Sequence, residues 1–398
     1  MVSGNVVATA ATDINLGSLN ATGSLSATAT AGDITQAAPV VIGGTTALNA
    51  PTGEVDLSNA TNNFVGAVSL TAESAQIVDG VGGLRTGTVT TTAGDLVLAS
   101  SGGGLSLGTT TVAGDAQVNS TGGSITQTGS LTASGAASFA ASTLDQSNNA
   151  VPAAVTLSDA GNNFIGPVTI EQASAVTLVD SVGGIQLANV NDTGALSVTS
   201  TGGSITQAAN SAINAGGATT LAATANGTPA DITLSGTGNN FVGPVNVSAG
   251  DDVTLVDGTG GLTLGTVTTT GNLSPSALGG DLVMGTSSIG GSLTTTSTGT
   301  TDLGRATITG TGDVTATSGG DLNLGNLTMA NPASDLNAVS TTGDITQTGP
   351  VAVGGGSNLS AVSGNVSLAN ASNAFGGEVG VSSIGATISD STPLTLGN

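Results

Sequence analysis

The sequence predicts an all-β fold: a right-handed parallel β-helix (β-solenoid) with about 20 residues per coil. Three observations carry this. First, a phrase of Gly, a small polar residue and an aliphatic residue recurs. From Gly4-Asn5-Val6 to Gly23-Ser24-Leu25 is 19 residues, from Gly32-Asp33-Ile34 to Gly53-Glu54-Val55 is 21, and from Gly94-Asp95-Leu96 to Gly114-Asp115-Ala116 is 20. Second, apolar residues between these markers alternate with Thr, Ser or Asn, as in Leu105-Ser106-Leu107 and Val253-Thr254-Leu255. Period-two alternation is the signature of a half-buried strand. Third, a longer block occurs four times in fixed order, which marks a repeat architecture.

The block is built around Asn62-Asn63-Phe64-Val65-Gly66. Copies follow at Asn162-Asn163-Phe164-Ile165-Gly166 and Asn239-Asn240-Phe241-Val242-Gly243, with a decayed one at Asn373-Ala374-Phe375-Gly376-Gly377. Upstream of each stands Ile-Thr-Gln, ending at Gln36, Gln127, Gln207 and Gln347. Downstream, 15 or 16 residues past the Phe, stands Asp79, Asp180, Asp257 or Asp390. The expected role is structural: the Phe fills a corner of the core or covers a bulging loop, and the paired Asn residues can build side-chain amide ladders across stacked coils. Ligand binding is the sharper alternative, but nothing polar beyond the Asn pair converges with the Phe in sequence.

Taken in order, residues 1–31 hold one to two coils. Long repeats then run over approximately 32–122, 123–202, 203–342 and 343–398, the last truncated and closing on Leu394-Thr395-Leu396-Gly397-Asn398. The third carries additional coils, which a solenoid accepts because each coil touches only its neighbours. No linker-like stretch interrupts the series, so one continuous domain over 1–398 is expected. Gly-Asp and Gly-Asn supply the turns, Gly by tolerating positive φ and the Asx side chain by bonding nearby backbone. Right-handedness follows from the general preference of parallel crossovers. A β-sandwich would also use short strands and Gly turns, but it does not explain the 19–21 residue period.

Composition limits what the chain can do. Its 398 residues include 64 Gly and five Phe, with no Cys, His or Trp; 25 acids face two bases, Arg85 and Arg305, for a formal net charge of −23. Phosphate binding needs Lys and Arg, so neither nucleic acid nor an anionic membrane is an expected partner. No stretch approaches the ~20 apolar residues of a membrane span. A mean hydropathy of +0.31 with dense Val, Ile and Leu argues against disorder.

Without His or Cys no Ser-His-Asp or Cys-His arrangement exists, nor a zinc site of imidazole or thiolate. Asp251-Asp252 with Asp257 is the one local acid cluster that carboxylate chemistry on a polysaccharide could use; solvated turns are the plainer reading. Asp at turns offers oxygen ligands for calcium, but the Gly-Gly-x-Gly-x-Asp nonapeptide does not recur. No catalytic residue, no cofactor and no metal ligand are therefore expected. Thr88/Thr90 and Thr266/Thr268 resemble the Thr arrays of ice-binding solenoids without recurring in every coil, as such an array requires. Asn59-Ala60-Thr61, Asn246-Val247-Ser248 and Asn326-Leu327-Thr328 fit the glycosylation pattern at a frequency this composition produces by chance.

The Gly-Asp-Ile-Thr-Gln phrases at 32–36 and 343–347, and Leu-Gly-Thr-Val-Thr-Thr-Thr-Gly at 264–271, resemble the repeat regions of filamentous haemagglutinin-like large exoproteins. These are bacterial surface adhesins of two-partner secretion. The resemblance implies a non-catalytic stalk or fibre segment, secreted or held at the cell surface. It further implies export through an outer-membrane transporter, and contacts with host or bacterial glycans and proteins through regions outside this chain. An alternative on the same fold is a filament subunit that associates end to end; a polysaccharide-acting enzyme is a third reading. The Asn-rich export motifs of that family have no counterpart here.

Overall fold

A computed structural model describes residues 1–397; Asn398, the last residue of the truncated repeat, lies outside the described residues. The protein is all-β, with parallel strands stacked as a β-solenoid of about 19 turns and roughly 21 residues per coil. By the density of internal contacts the chain divides into two compact units, Met1–Val198 and Thr199–Asn398.

In the first unit each coil gives a short strand to each of three columns. One column stacks Val6 on Leu25, Thr46 and Val68. A second stacks Ile14, Ile34, Val55, Ala75, Leu96 and Ala116. A third stacks Asn20, Val41 and Asn63, with Ala21, Ile42 and Phe64 beside them in the same register. The second unit repeats the plan. One of its columns runs Ile232, Val253, Leu273, Leu293, Val314 and Leu336. Another runs Leu262, Leu282, Thr301, Leu322 and Ile345.

Alternation dictates which side chains go inward. In Leu96–Ser100 the first, third and fifth residues are buried and the two between them half-buried, and the same pattern holds in Val253–Asp257. The inward positions stack aliphatic on aliphatic, so the core is a set of thin ladders that needs few large rings. Strand ends depart from that scheme. Ser100, Ser297 and Ser318 are buried as well, and each hydroxyl donates to a carbonyl of the turn that follows: Gly103 O at 2.8 Å, Gly299 O at 3.0 Å and Asp321 O at 2.9 Å. A small hydroxyl at the last inward position thus closes the corner.

The Gly-Asx turns differ from expectation in an instructive way. Their Asx oxygens do not chiefly bond their own turn; they bond the matching amide of the next coil. Asp13 Oδ1 accepts from Asp33 N at 3.0 Å, and Asp33 Oδ1 from Glu54 N at 2.8 Å. Asp95 Oδ1 accepts from Asp115 N at 2.8 Å, and Asp115 Oδ1 from Ala136 N at 2.7 Å. The series Asp231, Asp252, Asn272 does the same up to Ser292 N. The preceding Gly is needed for close approach, because a Cβ on Gly32 would collide with the Asp13 carboxylate and one on Gly114 with that of Asp95. Neither glycine has positive φ. The recurring dipeptide is therefore a stacking device rather than a φ device.

Two excursions leave the coils. Ser142–Leu144 pairs antiparallel with Ala150–Pro152, and Thr224–Ala225 with Thr228–Pro229. Both are anchored to the Gly-Gly that precedes Ile-Thr-Gln, through Gly123 opposite Ser142 and Gly202-Gly203 opposite Ala225 and Thr224.

Candidate functional site: a buried amide node

The repeated residues converge on a node. Gln36 Nε2 donates to Asn62 Oδ1 at 2.8 Å, and Asn62 Nδ2 donates back to Gln36 Oε1 at 2.8 Å. Asn62 Oδ1 also accepts from Val40 N at 2.8 Å, while Nδ2 donates to Leu57 O at 2.9 Å. The amide is fully buried and its hydrogen-bonding capacity is satisfied, as burial demands. The node recurs between Gln127 and Asn162 at 2.8 and 2.9 Å. It recurs between Gln207 and Asn239 at 2.7 and 3.0 Å, and between Gln347 and Asn373 at 2.7 and 2.9 Å. Each Asn also accepts from a strand amide: Leu131 N, Ile213 N and Val351 N, respectively.

This corrects the expected Asn–Asn ladder. The first Asn of each pair bonds the Gln of Ile-Thr-Gln; the second does not enter the node. The decayed copy makes the point, since Ala374 replaces the second Asn and the node around Asn373 is intact. The Phe expectation holds: Phe64, Phe164, Phe241 and Phe375 are at most 2% exposed. Phe164 meets Phe139 edge to face with ring centroids 6.4 Å apart, a partner that sequence repetition did not reveal. The residue after the Phe turns outward, leaving Val65, Ile165 and Val242 exposed.

The downstream Asp residues cap the same corner. Asp180 Oδ2 accepts from Phe164 N at 2.7 Å and Oδ1 from Val182 N at 3.0 Å. Asp257 takes Phe241 N at 2.8 Å and Thr259 N at 3.1 Å. In the first copy Val81 N donates to Asp79 Oδ1, while Asp79 Oδ2, turned toward the Phe64 amide, falls short of full hydrogen-bond geometry. Burial pushes the Asp79 and Asp180 carboxyls above the ordinary aspartate range, partly offset by those backbone amides.

The acids singled out for carboxylate chemistry do not converge. Asp251, half-buried, and Asp252, exposed, sit in a turn, where they accept from Thr270 Oγ1 at 2.7 Å and Asn272 N at 2.7 Å respectively. Asp257 lies at the far end of the extended strand Val253–Asp257, roughly 16 Å along it, and is buried in its node. Among the described residues no three His, Cys, Asp or Glu side chains are grouped to hold a metal ion. Chemically, the node orients backbone amides and closes coils. Its Asn members are fully buried and its Gln members half-buried.

Comparison with known proteins adds one finding. A family model described as "Repeats of unknown function (DUF5649)" matches residues 3–71, 86–171, 173–248 and 311–382. Each match ends seven residues beyond its Phe, at 71 after Phe64, 171 after Phe164, 248 after Phe241 and 382 after Phe375. The Gln, Asn and Phe of each copy thus lie within one match, whereas Asp79, Asp257 and Asp390 and all of residues 249–310 fall outside every match. No curated protein and no solved structure matches the chain significantly. With four matches that together cover well over half of its length, the chain belongs to this DUF5649 repeat family.

Proposed function

We propose that the chain is a non-catalytic stalk or fibre segment of a secreted bacterial surface adhesin, spacing a binding region away from the cell. The observation that carries this reading is the fate of the recurring polar side chains. The Gln and Asn of all four blocks bond one another, and the downstream Asp residues accept from the backbone amides of Val81, Val182, Thr259 and, at Asp390, Thr392, so repetition serves the coil and not a ligand. The Asp and Asn turn columns do likewise. A polypeptide whose repeated polar side chains bond its own coils works as a scaffold. Export through an outer-membrane transporter and engagement of surface glycans or proteins elsewhere in a longer adhesin complete the proposal by resemblance to filamentous haemagglutinin-like exoproteins.

Single-molecule pulling tests the mechanical claim. The expected record is a series of yielding steps, each releasing about one coil, or roughly 70 Å of extended chain. Extension as a featureless flexible polymer overturns it. Antibodies against the purified chain should label intact cells of the producing bacterium, and labelling only after lysis removes the surface assignment.

A further inference from the structure

The second excursion ends in Asn226-Gly227, the one Asn-Gly pair in the sequence. Ala225 faces Thr228 across the tip, and Asn226 and Gly227 both hold positive φ, 51° and 82°. This is the two-residue turn that Asn-Gly favours. Both residues are exposed, and open space lies where a Cβ on Gly227 would stand. The strand arms are two residues long, so the tip opens at little cost.

We propose that Asn226 is a self-modifying site, which converts without enzyme or cofactor to an aspartyl or isoaspartyl residue. The main-chain nitrogen of Gly227 attacks Cγ of Asn226 and gives up its proton to solvent. The Cγ–Nδ2 bond breaks and the nitrogen leaves as ammonia, closing a five-membered succinimide. Water then opens either ring carbonyl. One route yields the α-linked acid, the other a β-linked residue that places one more atom in the main chain. No oxidant or reductant is involved. Glycine matters because no side chain shields its nitrogen.

Two other groups of Asn residues contrast with this tip. The node Asn residues hold their side-chain amides in buried bonds, and they precede Asn or Ala rather than Gly. At the tip of the other excursion Asn148 is followed by Asn149, whose amide nitrogen is bonded to Asp145. The product adds a carboxylate to an already acidic chain. In its β-linked form it lengthens a two-residue turn, which breaks the pairing of Ala225 with Thr228. Beneath it the Gln207–Asn239 node still closes the coil, so the change stays local.

The test ages the purified full chain for weeks in mildly alkaline buffer at physiological temperature. It is then cleaved at acidic residues, and the peptides are read by mass spectrometry and by isoaspartyl methyltransferase labelling. The expected result is amide-to-acid conversion concentrated at 226, with methyl labelling of that peptide and loss of both signals in Asn226→Gln. The Gln variant should keep the parent's β-sheet circular dichroism, since only the exposed tip changes. Conversion at 226 no faster than at Asn148, or labelling that persists in Asn226→Gln, overturns the proposal.

Discussion

The first and fourth blocks differ from the second and third at one corner. In the first, Thr46–Leu57 runs as a single twelve-residue strand from one column into the next, and in the fourth Ser357–Leu368 does the same. At the corresponding corner the second and third blocks turn out into the excursions at 142–152 and 224–229. The step between stacked residues records the difference: 21 residues from Ile34 to Val55 and from Ile345 to Val366, but 30 from Ile125 to Val155 and 27 from Ile205 to Ile232. The spacing from Gln to Asn moves in parallel, at 26, 26, 35 and 32 residues. The extra nine and six residues lie wholly within the span that the node closes, yet its hydrogen bonds agree to within a few tenths of an ångström. The node therefore sets coil closure, and the corner is where chain length is free to vary.

The largest test of that separation concerns the ring beneath the node. Replacing Phe64 with Ala in the straight first block should cost about 3–5 kcal/mol, the usual range for a buried Phe. Phe164→Ala in the excursion-bearing second block should cost about 1 kcal/mol more, because it also loses the edge-to-face contact with Phe139. Denaturant midpoints of the two variants measure the gap. Equal costs would mean that the Phe139 pairing is incidental.

The amide comes next. Asn62→Ala and Asn162→Ala each strand a Gln head group, a strand amide and a carbonyl, for about 2–4 kcal/mol apiece. The two values should agree closely, since closing a 30-residue rather than a 21-residue span adds only ~0.3 kcal/mol of loop entropy. Asn63→Ala should cost under about 0.5 kcal/mol, as Ala374 already occupies that place in the fourth block. A much larger penalty for Asn162→Ala would show that the node restrains the excursion rather than ignoring it.

Much of this was legible in the residues. Period-two alternation and the Gly-Asx step gave the solenoid and its coil length, because both follow from strand geometry that repeats along the chain. The members of the node were also legible as a co-repeating set of Gln, Asn, Phe and Asp. Their pairing was not. Which Asn meets which Gln depends on how a coil folds back over its predecessor, and the doublet Asn62-Asn63 offered two candidates. The turns misled for the same reason: Gly32 reads as a φ choice in isolation and as a close-approach choice once Asp13 lies beneath it. The excursions were legible in part. Asn226-Gly227 is a hairpin signal, whereas the turn from Asp145 to Asn149 has no such dipeptide; there the Asn149 amide bonds Asp145 and holds its carboxyl below the usual range.

A smaller effect should appear on titration. Asp79 and Asp180 have raised folded-state pKa values, chiefly through burial. Between the unfolded value of 3.8 and the raised folded value, the folded state binds more protons, so stability falls as pH rises through that window. The relief is complete below 3.8 and absent above the folded pKa. The parent should thus melt higher at mildly acidic than at neutral pH, and Asp79→Asn with Asp180→Asn should flatten the slope relative to the parent. Comparison with the parent matters, because general repulsion at a net charge of −23 has the same sign. An unchanged slope in the double variant would place the carboxyls outside the pH response.

The smallest expected effect is the most direct challenge. Deleting residues 143–151 removes nine residues and leaves Ser142, Pro152, Ala153 and Ala154 between Ala141 and Val155. That is the same four-residue passage that Pro51, Thr52, Gly53 and Glu54 make between Ala50 and Val55. Loop-closure entropy changes by only ~0.3 kcal/mol, in the stabilising direction. The antiparallel pairs lost with the excursion belong to an exposed ribbon that adds little on its own. The shortened chain should therefore unfold within about 0.5 kcal/mol of the parent. Hydrogen exchange at the Leu131 amide, which donates to Asn162, should be unchanged. Accelerated exchange there would mean that the excursion braces the node, and the corner would no longer count as a place where length is free.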